Sequence, residues 1–198
     1  MQHGSCTVRD VPRTTRRLSR SVVVDLALEI ADNQGLPAVS LASVAAAAEC
    51  KAPSLYNHLD GLDDLLDELA LVTTADFAST LRDSVVAKVG EDAIRAYAHA
   101  WRTYVIEHGG RYQATLRPVP HRGDEHRAVV EGMTIPAGAI LSTLGIPDDR
   151  LANAGRALRS GLHGFSQLEL TSSIGPSPAE SFDVVVDVLL AGLRSLAE

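Results

Sequence analysis

Lys51, Ala52, Ser54, Asn57 and His58 lie close together in a short stretch, and their types suit contact with a nucleic-acid duplex. An asparagine can pair bidentately with adenine in the major groove, and short hydroxyls and cations reach other base edges. Tyr56 carries a phenol able to donate to a phosphate, a contact that sets register without reading sequence. Pro53 suits a first helical turn, where its missing N–H costs nothing. Leu55 and Leu59 share the inward face of such a helix, which is expected to leave Lys51, Ala52, Ser54, Asn57 and His58 outward.

A second group is aromatic. Tyr97, Trp101, Tyr104 and Tyr112 follow one another along and after one helical stretch, with His163 and Phe165 on another. Aromatic residues are only 4% of the chain, so their concentration here could line a small-molecule pocket. The spacing of Tyr97, Trp101 and Tyr104 also fits an ordinary core stripe, and both readings stand. His121 and His126 flank Asp124 and Glu125, but they are five apart in an expected loop, so no metal is expected. No cofactor is expected either. The chain lacks GxSxG, GxxxxGK, HExxH and paired-cysteine motifs, which argues against an enzyme. The alternative is an all-α ligand-binding protein, or an enzyme for a small apolar molecule, without DNA binding.

These residues need elements to hold them. Leu18, Val22, Leu26 and Ile30 recur every four residues until Gly35-Leu36-Pro37 stops the pattern, a helix with one apolar face. Ser40 is placed to cap a short helix over Leu41–Ala48. Glu49-Cys50-Lys51 forms a turn, and a second short helix runs from about Ala52 to Leu59. Two short helices joined in this way behind a longer one form a helix-turn-helix, whose second helix enters the major groove. Gly61 breaks the pattern, and a longer helix runs from Leu62 to about Lys88. Further helices are expected over Asp92–His108 with an extension to Leu116, then Asp124–Leu144 with a kink at Pro136, Asp148–Leu170 and Ala179–Leu196. The fold class is all-α.

The 198 residues carry a formal charge of −7, which argues against nonspecific coating of nucleic acid. The distribution is uneven. Residues 1–20 hold five arginines against one aspartate, a basic edge ahead of an acidic body. Arg16, Arg17 and Arg20 are candidates for a flanking minor groove or phosphates, or for a solvated tail. Two cysteines, Cys6 and Cys50, cannot make a disulfide framework, so a reduced, cytoplasmic setting is expected. Cys50 reads as core packing. No apolar run is long enough for a membrane span. The last helix is apolar on most of its circumference and needs a second surface, either its own bundle or a second copy of the chain.

The set Ala27, Ile30, Gly35, Ser40-Leu41, Val44-Ala45 and Pro53-Ser54-Leu55-Tyr56-Asn57-His58-Leu59, ending in Leu65-Leu66, resembles the TetR family of transcriptional regulators. The likeness is close over Ser21–Leu69 and looser beyond it. Near the end, Leu162-His163-Gly164-Phe165 with Leu168-Glu169 resembles the Trp-His-Gly segment of one TetR subgroup, with Leu162 at the Trp position. The resemblance implies a dimeric repressor released from a double-stranded DNA operator by a small-molecule effector. It implies a flexible basic arm over residues 1–17, a helix-turn-helix domain over 18–66 and a ligand-binding and dimerisation domain over 67–198. Dimers would form through the last two helices. Arg17, Arg20, Ser40, Lys51, Ala52, Pro53, Ser54, Tyr56, Asn57 and His58 are the candidate DNA contacts. Three departures bear on the footprint. Glu49 stands at a turn position usually held by Gly, so it must accept a left-handed or an adjusted turn. Leu62 replaces a common Lys at the start of the fourth helix. Lys51 replaces Ser or Thr at the cap of the recognition helix.

Overall fold

The computed structural model describes residues 17–118, 124–171, 175 and 177–198. The first sixteen residues, with Cys6, Arg9, Arg13 and Arg16, lie outside them, as do His121 and the His126 side chain. Among the described residues every regular element is helical.

Helix α1 spans Arg20–Gln34. It begins two residues after Leu18 because the Ser19 hydroxyl accepts from Val22 N at 3.3 Å and caps it. Gly35, at φ 84°, ends it and returns its N–H to Ala31 O. Helix α2, Leu41–Ala47, starts at a capping box in which Ser40 Oγ accepts from Ser43 N and Ser43 Oγ accepts from Ser40 N. The turn that follows holds Glu49 at φ 52°, the left-handed of the two expected alternatives.

Residues Ala52–Asn57 then form a 3₁₀ helix rather than the expected α-helix. Six residues are long for this tighter form. Helix α3, Leu62–Ser84, carries Asp63 and Asp64 in its first turn, where negative side chains oppose the helix dipole. It ends short of Lys88, and Ala87 sits beyond it at φ 59°.

Helix α4 covers Gly90–Glu107 and α5 covers Gly109–Ala114. The expected stretch over Asp92–His108 with its extension to Leu116 is divided into two helices at His108, at φ −131° and ψ 46°. The break turns α5 across α1 so tightly that a Cβ on Gly110 would sit 1.8 Å from Ala31 O. Only glycine permits that approach. Helix α6, Asp124–Ser142, continues through the buried Pro136. Helices α7, Asp148–Leu170, and α8, Pro178–Ala197, close the bundle.

The buried side chains form two cores. The first joins Val23, Ala27 and Ile30 of α1 with Val44, Leu55 and Leu59, and draws in Leu65 and Leu69 of α3. Cys50 packs half-buried against it. The second centres on Phe77, Leu81, Trp101, Leu158 and Phe182. Helix α3 contributes to both, so one rigid rod joins them. Ala114 of α5 belongs to the first core and Tyr112 to the second.

Candidate nucleic-acid interface and ligand cavity

In a 3₁₀ helix side chains three apart eclipse one another. Ala52, Leu55 and His58 therefore share one row, and this row is partly or wholly buried. Pro53 and Tyr56 form a second, exposed row, with Tyr56 60% accessible. Ser54, half-buried, and Asn57, exposed, form the third. Ala52, Ser54 and His58 are thus half-buried and less open than Asn57, where all four were expected to point outward. The expectation assumed 3.6 residues per turn, and the observed repeat is three. Lys51 precedes the segment and is exposed.

Arg20 also takes a different place from the one expected of an arm residue. Its guanidinium holds Asp64 bidentately at 2.8 and 2.9 Å and Glu68 at 2.7 Å. It also donates to His58 O at 2.9 Å. Asp64, largely buried, accepts in addition from Asp60 N at 3.0 Å. Hydrogen bonds to Asp64 and then Glu68 raise the Arg20 pKa further above its already high value. Arg20 is a brace that ties the start of α1, the end of the recognition segment and the first turn of α3. Arg17 is exposed ahead of α1. Ser40 spends its hydroxyl on the first turn of α2. Leu62 is exposed at the start of α3, where it offers no cation to a phosphate.

The aromatic group divides between a cavity and a core. A cavity of about 390 Å³ lies between α4, α6 and α7, within the size range of small-molecule sites. Tyr97 and Trp101 form its α4 wall, Ala137 and Gly138 its α6 wall, and Leu151, Gly155 and Leu158 its α7 wall. Ala152, Arg156 and Arg159 of α7 also line it. Burial pushes the Tyr97 hydroxyl up to about 12, while Arg159 pulls the other way. Trp101 Nε1 is buried and completes no hydrogen bond.

Four of the six expected pocket residues lie outside that lining. Tyr104 donates to Asp76 at 3.0 Å and packs on Phe77 with ring centroids 4.7 Å apart. Phe165 packs on Phe182 at 5.2 Å. The Tyr112 hydroxyl is hydrogen-bonded to His163 Nδ1 at 2.7 Å. Burial raises the Tyr112 hydroxyl pKa, and burial followed by the Arg159 charge lowers that of His163, which favours a neutral ring. These four are packing and linking residues, because the α4 stripe turns only Tyr97 and Trp101 toward the open space. Arg156 and Arg159, which do line it, escaped the sequence reading. Their sequence signal was a pair of cations three apart in a helix otherwise rich in small and apolar residues.

One further feature emerges only from the fold. Helix α5 is tied to α1 by Arg111 Nε on Asp32 at 2.6 Å, and just after α5 Arg117 holds α3 through Asp67 at 2.9 Å. Through Tyr112 it is tied to α7. It thus connects the cavity's surroundings to the helices that carry the recognition segment.

A helical protein with a braced helix-turn-helix at one end and an aromatic cavity at the other belongs to the class of one-component DNA-binding regulators. The description "Tetracyclin repressor-like, C-terminal domain" matches residues 94–189. An HTH-type transcriptional regulator of Mycobacterium tuberculosis, Rv0681, is 34% identical over 190 residues, covering 94% of this chain and 86% of that protein. YobS of Bacillus subtilis, likewise an HTH-type transcriptional regulator, is 36% identical over 152 residues, covering 76% and 78%. Among solved structures, the TetR family protein ActR of Streptomyces coelicolor in complex with actinorhodin superposes with a TM-score of 0.66 at 20% identity, covering 91% of this chain and 99% of that one. The chain belongs to the TetR family of HTH-type transcriptional regulators.

Proposed function

We propose that this regulator is a homodimeric repressor, acting in the cytoplasm, that a small molecule releases from a double-stranded DNA operator. The observation that carries the DNA half is the exposed Tyr56–Asn57 pair on a segment whose inner row is locked by Leu55 and whose end is held by Arg20. Asn57, Ser54 and Lys51 then read base edges, while Tyr56 and Arg17 hold phosphates. Residues 18–66 serve as the DNA-binding unit, with residues 1–17 as a basic arm. The boundary falls within α3, which both units share.

Dimerisation is supported by the outer face of α7 and α8. Helix α8 buries Phe182, Val186, Leu190 and Leu193 in its own bundle and leaves Val184 and Val188 more than 60% exposed. Leu168 of α7 is 52% exposed. Single apolar residues in water are ordinary, but several on two adjacent helices suit a second copy of the chain. Among the described residues no helix is long and apolar enough to cross a membrane, which is in keeping with a cytoplasmic regulator.

The effector half rests on the cavity. That ActR is known in complex with actinorhodin supports a bound small molecule in the equivalent domain here. A ligand between α4 and α7 would bias the position of His163 and Tyr112, hence of α5. Through Gly110 and Arg111 it would reach α1. Two bound recognition segments must match successive major grooves, so a small change in their spacing lowers affinity. Such coupling is typically about 1–3 kcal/mol.

The test is a footprint on the DNA upstream of the protein's own gene, with sedimentation equilibrium alongside. Expected are a twofold-symmetric footprint and a particle of twice the 21.0 kDa chain mass, reduced to the monomer by Val188→Glu. A monomeric wild type, or protection without symmetry, would overturn the dimeric repressor.

A further inference from the structure

Arginines in this structure generally have carboxylates. Arg20, Arg95, Arg102, Arg111, Arg117 and Arg194 each hold one at 2.6–2.9 Å. The two at the cavity, both exposed at its mouth, do not; nor, among the described residues, do Arg82 and Arg150, which lie away from it. Arg156 reaches only the Asn153 side-chain oxygen, at 2.8 Å, and Arg159 has no ion-pair partner among the described residues. The chain has 25 acidic residues against 18 basic ones, yet among the described lining residues the charged groups are both cations.

Arg156 and Arg159 are three apart on α7 and so emerge on the same side of it. Between them and the aromatic wall, Gly155 and Gly138 keep space open. Of the lining groups, the Tyr97 hydroxyl has its pKa held up by burial and opposed by the Arg159 charge. A cavity with an apolar floor and an unpaired cationic mouth is complementary to an amphipathic anion. A guanidinium is suited to that task, since its fork matches a carboxylate in two parallel hydrogen bonds.

We infer that the cavity takes an organic carboxylate, its apolar body against Tyr97 and Trp101 and its head group held by Arg159 and Arg156. This names the chemical class of the effector and rests on the ligand-responsive reading above.

Trp101 is the chain's single tryptophan and stands in the cavity wall, so its fluorescence reports occupancy directly. The full-length protein would be titrated with decanoate, 1-decanol and decylamine, which share a body and differ in head-group charge. Decanoate is expected to change the Trp101 emission with a Kd about ten-fold below that of decanol, with decylamine weakest, as a charge-assisted pair implies. In Arg159→Gln the decanoate preference should fall to within about two-fold, with Arg159→Lys intermediate because it keeps the charge but not the fork. Circular dichroism would verify that both variants are folded. Equal affinity for decanoate and decanol, or a preference that survives Arg159→Gln, would overturn the inference while leaving a ligand-responsive regulator in place. Silence of Trp101 toward all three probes would overturn it as well. Operator binding by the same preparation tells separately whether the regulator stands.

Discussion

The recognition segment and the cavity are built on opposite plans. The first is six residues long, turns its outer rows to solvent and is held from behind by Leu55 and the Arg20–Asp64 brace. The second is an inner space between long helices, where shape comes from Tyr97, Trp101 and a few small residues. In the recognition segment the Tyr56 and Asn57 side chains contribute little to stability, because they face water. At the cavity Tyr97, Trp101 and Leu158 are also core residues, so there shape and stability draw on the same atoms. A substitution should therefore separate binding from folding at the first site far more cleanly than at the second.

The largest effect is expected where the two regions are joined. Gly110→Ala must drive α5 off α1, since its new Cβ would overlap the Ala31 backbone. A loss of about 3 kcal/mol in urea denaturation is expected, at the upper end for overpacking. An unchanged midpoint would mean that α5 is not seated on α1 in solution.

Next comes the brace. Arg20→Gln removes the guanidinium that holds the largely buried Asp64 bidentately. Removing one partner of a fully buried pair costs several kcal/mol; because the Arg20 side chain is 40% exposed, roughly 1–3 kcal/mol is expected here. Operator affinity should fall with stability, because His58 loses its tether. If affinity falls while the unfolding curve is unmoved, Arg20 contacts DNA itself.

Asn57→Ala should sharpen the contrast. With its exposed side chain removed, about 1–3 kcal/mol of operator affinity and some sequence preference should be lost, with thermal unfolding unchanged. A shifted melting temperature would place Asn57 in the packing instead.

The smallest effect concerns the link beyond the cavity. Burial and Arg159 hold the His163 pKa below its ordinary 6.5, so the unfolded chain takes up a proton more readily than the folded one. The stability this group contributes is present above about 6.5 and is lost as pH falls toward the folded value. His163→Gln should flatten the stability profile slightly in that window. An identical slope in both proteins would mean His163 titrates normally.

Much of the scaffold was legible in the sequence, because periodicity and punctuation are local. Helix α7 has the expected bounds, and Glu49 takes the left-handed of its two expected turns. What escaped was tertiary. The separation of α5 from α4 depends on Gly110 meeting Ala31, far away in sequence. The role of Arg20 depends on Asp64, 44 residues on. Within the segment, the exposure of Lys51 and Asn57 was legible from type and spacing, but the partial burial of Ala52, Ser54 and His58 was not, since the 3₁₀ repeat is not written in the residue types. At the cavity, the sequence pattern could not divide the aromatic stripe between open space and core, and it passed over Arg156 and Arg159.

The central claim is that the outer rows of the recognition segment read DNA. It is tested most directly by fluorescence anisotropy with a duplex from upstream of the protein's own gene and with a scrambled duplex, each at two salt concentrations. The wild type is expected to prefer the upstream duplex and to weaken with salt, as released counterions require. A folded Tyr56→Ala/Asn57→Ala double variant should lose that preference. A double variant that binds the upstream duplex as tightly and selectively as the wild type would contradict the claim.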